Sequence, residues 1–289
     1  MPRFTREQVR RRQRTALVGL VVIVLVLVGS CTAFVRSLGG DDEEAGARSA
    51  ARNASADDAD ARTADHDAME LAATVEDAAA REQLPSDVTL AEDEVMGIDV
   101  SVHQGQVDWP QVADAGYSFA YIKATEGVDY VDPQFTANWR GVHQAGMTRG
   151  AYHYFTLCSS GADQAADFLK TVPVDDTALP PALDLEFDGA CDERPEADDA
   201  QGEIDAFVSA VEAAWGRRVV VYSSSEWRMH YGLPVAEERP DWLFSDSGRP
   251  GQGDWAVWQL RFDGTVPGIT KKVDVDVARP EILRETARL

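Results

Sequence analysis

Basic residues are scarce in this 289-residue chain: 27 Lys and Arg stand against 50 Asp and Glu, a formal net charge of −23. So acidic a protein repels phosphate backbones and anionic headgroups, which argues against nucleic acid and anionic lipid as partners. Cysteine is scarcer still, at three, and there are five histidines. No spacing among them makes a tetrahedral set, so neither a metal nor another cofactor is expected. His103 and His153 read instead as hydrogen-bonded core residues. Residues 37–94 contain no aromatic side chain, which leaves nothing to build a core with. Residues 16–35 contain no charge, which removes the obstacle to crossing a bilayer, for which about 20 apolar residues suffice.

These absences divide the chain. Residues 1–14 carry six arginines against the single acid Glu7, a basic cluster that stays in the cytoplasm. Residues 15–36 are expected to form a single-pass anchor in a bacterial cell membrane, with everything after Arg36 outside the cytoplasm. The run Val28-Gly29-Ser30-Cys31 opens an alternative, since it resembles a lipoprotein signal in which Cys31 is lipidated after cleavage. The apolar Ala33-Phe34-Val35 that follows fits an uncleaved anchor better. Residues 37–94, with 17 acids and four arginines, read as an extended, self-repelling linker. All seven Trp and all seven Tyr lie in residues 95–289, about the size of one domain.

What that domain does contain is an apolar run after two prolines, Pro180-Pro181-Ala182-Leu183-Asp184-Leu185-Glu186-Phe187, which reads as a buried strand. Asp184 and Glu186 share one face, roughly 7 Å apart along the chain, and Leu183, Leu185 and Phe187 take the other. Two acids on one buried face are costly unless solvent or a ligand reaches them. Close carboxyls also push their pKa values apart, leaving one protonated and one ionised. That is equipment for breaking a glycosidic bond. Lys123 and Arg149 are the cations near the expected strands, too few to pair such a set of acids.

Around this strand, apolar strands at 96–100, 119–123, 149–155, 182–187 and 218–223 alternate with helical stretches at 109–115, 132–145, 161–171 and 200–215. Further strands at 242–245, 256–260 and 273–277 follow with no full helix between them. Repeated strand–helix units imply a parallel sheet, and about eight strands can close into an α/β, TIM-like barrel. Catalytic groups on such barrels sit at the C-terminal ends of strands.

Several segments resemble one family, in the right order. They are Gly97-Ile98-Asp99-Val100-Ser101 running on to Trp109, Phe119-Ala120-Tyr121-Ile122-Lys123 running on to Gly127, Gly150-Ala151-Tyr152-His153-Tyr154-Phe155, and Ala182 to Glu186. Val257-Trp258-Gln259, Val266-Pro267-Gly268-Ile269 and Val273-Asp274-Val275-Asp276 close the pattern. Together they resemble glycoside hydrolase family 25, the Chalaropsis-type lysozymes or 1,4-β-N-acetylmuramidases that cut bacterial peptidoglycan. The resemblance implies a barrel of five strand–helix units followed by three strands. It implies Glu186 as the general acid. Asp184 would assist, either by holding the substrate's 2-acetamido group as an internal nucleophile or by stabilising an oxocarbenium-like transition state. Asp99 and Asp274 would line the same site, although Asp99 could instead shape a turn or pair with Lys123, and Asp276 shares a face with Asp274.

Tyr152, Tyr154, Trp258 and Gln259 are the expected substrate contacts, with core filling as the alternative for each. One departure stands out: where the family pattern resembles Trp-Ile-Ala-x-Tyr, this chain reads Trp242-Leu243-Phe244-Ser245-Asp246. Asp246 therefore replaces an expected aromatic residue, which puts sugar contacts at that edge in doubt. Cys158 and Cys191 follow neighbouring strands of the implied barrel and are expected to form a disulfide at its active rim. The loop so closed is about 34 residues long, a constraint worth roughly 4 kcal/mol in the chain-entropy model.

The expectation is a membrane-anchored, monomeric muramidase acting on peptidoglycan. A catalytically silent glycan-binding receptor on the same barrel is a second reading, against which the intact Asp184/Glu186 pair argues. A hydrolase of another N-acetylated polymer such as chitin is a third, against which the Gly97–Trp109 segment and the closing motif argue.

Overall fold

A computed structural model of the chain describes residues 79–187, 191–232, 239–251, 253 and 255–289. The basic segment 1–14, the expected anchor at 15–36 with Cys31, and the linker up to residue 78 lie outside the described residues. Among those described, no helix is long and apolar enough to cross a membrane.

The strands are β1 (Val95–Val100), β2 (Phe119–Glu126), β3 (Tyr130–Val131), β4 (Thr148–Tyr154), β5 (Ala182–Leu185), β6 (Val220–Ser223), β7 (Asp241–Phe244), β8 (Trp255–Gly264) and β9 (Val273–Ala278). All but β3 form a closed ring in the order β1-β9-β8-β7-β6-β5-β4-β2, completed by the pairing of β1 with β2. This is the expected eight-stranded TIM-like barrel, with one difference of direction. The sheet is not wholly parallel, because β9 runs antiparallel to both β8 and β1. A connection of a few residues with no helix cannot return the chain to its starting end, so the last strand has to run back.

The helices are α1 (Trp109–Asp114), α2 (Phe135–Gln144), α3 (Gly161–Thr171), α4 (Ala197–Trp215), α5 (Ser225–Tyr231) and α6 (Pro280–Thr286). α5 and α6 were not legible in the pattern, since seven residues carry barely two turns of periodicity. α5 completes the fifth strand–helix unit, and the Ser224 hydroxyl caps it by accepting the Trp227 N–H at 3.2 Å.

Strand alternation sorts the apolar side chains into two cores. Met96, Ile98 and Val100 face outward with Phe168, Phe207 and Trp258 in the layer beneath the helices. Phe119, Tyr121, Tyr152, Tyr222 and Trp242 fill the barrel interior. Each such side chain, fully buried, contributes about 1.5–3 kcal/mol. Inside, Phe119 meets Tyr121 edge to face at 6.4 Å, and Tyr121 packs on Trp242 at 4.8 Å. Gly97 and Gly150 make room for those rings: a Cβ at Gly97 would lie 2.3 Å from the Phe119 ring, and one at Gly150 2.4 Å from the Tyr121 ring. This aromatic plug closes the lower barrel and sets the floor of the cavity above.

The folded body begins earlier than the expected boundary at Val95. Ala79–Gln83 form a turn of 3-10 helix with Ala80 fully buried, and the Ala80 N–H donates to the Ala115 carbonyl at 2.8 Å. Glu94 is buried and forms an ion pair with Arg249. The acidic composition of this stretch masks a few anchoring contacts that composition alone does not reveal.

Candidate active site

Above the aromatic plug lies a cavity of about 220 Å³ at the barrel mouth. β1 contributes Asp99, β2 Lys123, β4 Tyr152 and Tyr154, β5 Asp184, and the residue just past β5 contributes Glu186. β6 adds Tyr222, β7 Trp242, β8 Gln259 and Phe262, and β9 Asp274. Pairing explains the convergence: Asp99 stands opposite Asp274 across β1 and β9, and Tyr154 opposite Asp184 across β4 and β5. The antiparallel course of β9 puts its early residue, rather than its last, at the mouth.

β5 is shorter than the expected 182–187, ending at Leu185. The Asp184 and Leu185 carbonyls still accept from Phe155 and Ser224 N–H groups, at 2.9 and 3.0 Å. Beyond them the chain leaves the sheet. Asp184 is therefore buried in the wall, while Glu186 is half-buried at the opening.

Burial dominates the electrostatics of these acids. It raises the Asp184 pKa well above the usual carboxylate range, and repulsion from Glu186 adds to it while Lys123 opposes it. Contact with the Glu186 carboxyl also favours the protonated form of Asp184. Burial likewise raises Asp99, with Asp274, Asp276, Asp184 and Glu186 adding repulsion. Asp274 is pushed up to about 7 by burial and by Glu186, against a hydrogen bond with Asp99. Lys123 does not pair with Asp99: its Nζ binds Glu126 Oε2 at 2.7 Å and lies 4.4 Å from the centre of the Tyr154 ring. Asp99 accepts instead from Gln259 Nε2 at 3.2 Å.

Of the expected substrate contacts, Tyr152, Tyr154 and Gln259 line the cavity and Trp258 does not. Trp258 is fully buried in the outer core, donating its indole N–H to the Ser245 carbonyl at 2.9 Å. Its neighbours Val257 and Gln259 face inward, so alternation along β8 turns Trp258 to the helices. His153 is the expected core histidine, held by Thr125 at 2.8 Å and Gln164 at 3.0 Å and stacked on Phe207. His103 departs from that expectation, being exposed on the cavity rim. Asp246 is exposed and outside the cavity lining.

Tyr222, Trp242 and Phe262 are cavity residues that the sequence reading did not single out. Tyr222 had a signal, the inward phase of Val-Val-Tyr-Ser; Phe262 had none, because β8 was expected to stop at Leu260. Cys158 and Cys191 are joined, with Cα atoms 5.7 Å apart, tying the loop after β4 to the loop after β5. Among the described residues, no group of three or more His, Cys, Asp or Glu side chains is arranged to hold a metal ion.

Residues 98–269 match the model of the family described as Glycosyl hydrolases family 25. The chain is 35% identical over 191 residues to an uncharacterized protein, YegX, of Escherichia coli strain K12, covering 63% of this chain and 69% of that one. It is 34% identical over 194 residues to Lysozyme M1 of Streptomyces globisporus, covering 62% and 66% of the two chains. A family 25 glycosyl hydrolase from Bacillus anthracis has a similar structure, with a TM-score of 0.61 at 32% identity, over 66% of this chain and 91% of that one.

Proposed function

Since the chain belongs to glycoside hydrolase family 25, we propose that this glycoside hydrolase is a lysozyme, hydrolysing the β-1,4 bond between N-acetylmuramic acid and N-acetylglucosamine in bacterial peptidoglycan. The observation that carries the reading is the convergence of Asp184 and Glu186 with Asp99 and Asp274 on one cavity, where burial raises the pKa values of the three aspartates. A silent receptor has no use for such a costly cluster.

Glu186, at the opening, is the acid that protonates the leaving sugar oxygen. Its position at the opening supports that role over Asp184, which is walled in. Of Asp184, Asp99 and Asp274, those that are ionised oppose the positive charge that builds on the sugar ring as the bond breaks. Tyr152, Tyr154 and Tyr222 supply rings and hydroxyls around the ring position, and Gln259 holds Asp99 in place. The chemistry draws on carboxyls alone and asks for no cofactor.

The uncharged 16–35 segment behind its arginine cluster supports tethering of the enzyme to the outer face of a cell membrane. A tether of that kind favours the cell's own wall as substrate over a competitor's. The reading is tested by reducing-end release from purified peptidoglycan with the detergent-solubilised full chain and its Glu186→Gln variant. Wild type is expected to release reducing ends, and the variant to lose about a hundredfold or more. Equal rates would remove Glu186 as the acid, and a wild type inert on several wall types would favour the receptor.

A further inference from the structure

A second concavity opens outside the barrel, between α1 and α2, and the proposed reaction does not use it. It is a groove of about 1140 Å³ that shares Gln104 with the catalytic cavity. Gln104 is a fixed saddle between the two: its Oε1 accepts the Ser101 N–H at 2.9 Å and its Nε2 donates to the Lys272 carbonyl at 3.0 Å. From there the lining follows α2 through Gln134, Ala137, Asn138, Gly141 and Gln144, the spacing of one helix face. Between Gln134 and Gln144 that face spans about 15 Å, the length of four to five residues of extended peptide. Gly141 lets the opposite wall close in, since a Cβ there would lie 2.1 Å from Trp109 Cδ1.

The chemistry of this lining differs from the acidic character of the chain. Its charged members are Asp108 and Lys271, and the Asp108 Oδ2 is already engaged by Gln111 Nε2 at 2.6 Å. Most of its other polar side chains are amides, with Gln106 and Gln111 joining Gln104, Gln134, Asn138 and Gln144. Asn138 is 2% exposed, and its Nδ2 has no acceptor among the described residues. A buried donor without an acceptor is costly, and a ligand carbonyl would remove that cost.

We propose that this groove binds the stem peptide that branches from the glycan strand at muramic acid. The inference rests on the reading of peptidoglycan as the substrate. A side-chain amide both donates and accepts, so a row of them matches the alternating N–H and C=O groups of an extended peptide. Asn138 Nδ2 takes a peptide carbonyl, and Lys271 meets a stem carboxylate. The direction suits a branch, because α2 carries the chain from the mouth back towards the start of β4. The groove therefore leads away from Glu186 along the outer wall, whereas the strand being cut lies across the mouth. Glycan N-acetyl groups offer the same amide chemistry, but the strand that bears them passes through the cavity.

Two substitutions in the full chain, both outside the catalytic machinery, test this. Ala137→Trp fills the groove from an exposed position of α2, and Asn138→Leu removes the buried donor. Initial rates are compared on soluble glycan strands that bear stem peptides and on the same strands after an amidase has removed them. Wild type is expected to show a KM about five- to tenfold lower on the stem-bearing strands. Both variants are expected to lose that advantage, with kcat and the KM for stem-free strands unchanged. Equal KM values for wild type on the two substrates, or a variant that keeps the advantage, overturn the inference. A variant that shifts both substrates alike overturns it too, and assigns the groove to the glycan strand. Should Asn138→Leu not fold, Ala137→Trp decides the question alone. If wild type releases no reducing ends from either substrate, it is the muramidase reading that fails. The groove is then read by calorimetric titration with a synthetic stem tetrapeptide, which wild type should bind about tenfold more tightly than Ala137→Trp does. Equal affinities, or no binding to wild type, overturn the inference.

Discussion

Phe262 is an exposed aromatic side chain in the cavity lining. Its ring is 51% exposed at the cavity rim and stacks on Phe244 at 4.1 Å. An aromatic surface at this rim comes from β8, whereas position 246, after β7, carries Asp. Aromatic contacts of this kind contribute about 0.5–1.5 kcal/mol beyond area burial. Phe262→Ala is therefore expected to raise KM by about two- to tenfold with kcat little changed, as measured by initial rates on solubilised glycan strands. At the same scale, Asp274 links the site to pH. Its raised pKa means that the folded chain binds the proton more tightly than the unfolded one. The stability so contributed is full below the ordinary carboxylate range and is lost as pH rises through about 7. Melting temperatures taken from pH 4.5 to 8 should fall more steeply for wild type than for Asp274→Asn, and parallel curves would contradict the assignment.

At the scale of elements, the barrel places its chemistry on strand ends and then braces those ends with loops. The chain that leaves β5 carries Glu186 at once, and five residues later Cys191 pins it to Cys158. Phe187, between them, packs on Trp227 of α5 at 4.9 Å and lies under the Arg194 guanidinium at 4.0 Å. Glu186, the proposed general acid, therefore lies between the end of β5 and the disulfide. Losing the disulfide should cost about 2–4 kcal/mol and loosen that segment. Cys158→Ser is accordingly expected to lower the urea midpoint and also to lower kcat at temperatures where the barrel remains folded. A variant with full kcat would show that the bond serves stability alone.

For the whole molecule, the domain is a barrel with an N-terminal brace rather than a barrel hung directly on a linker. Residues 79–94 contribute the buried Ala80, the bond from Gln83 Nε2 to the Thr265 carbonyl at 3.2 Å, and the pairing of buried Glu94 with Arg249. Removing one partner of such a pair leaves the other uncompensated. A chain starting at Val95 should unfold at a lower denaturant concentration than one starting at residue 79. Coincident midpoints would return these residues to the linker. The mutual repulsion of the buried acids acts at this scale too, since Asp99, Asp184, Asp274 and Asp276 come from three strands and meet in a shared interior.

What the chain determines locally was readable before folding: the strand–helix rhythm, the Asp184/Glu186 spacing, the inward phase of Asp99 and Asp274, and the order of motifs. These depend on periodicities of two and 3.6 residues, which sequence carries directly. Short elements were not readable, because α5, α6 and the end of β8 hold too few turns or alternations to stand above their surroundings. Nor was the fate of Trp258, whose face is decided by the phase of β8 against its neighbours. The direction of β9, the packing of residues 79–94 and the burial of Asp276 belong to the tertiary structure alone. Each arises from groups distant in the chain meeting inside a closed ring, and only closure decides which acids share an interior.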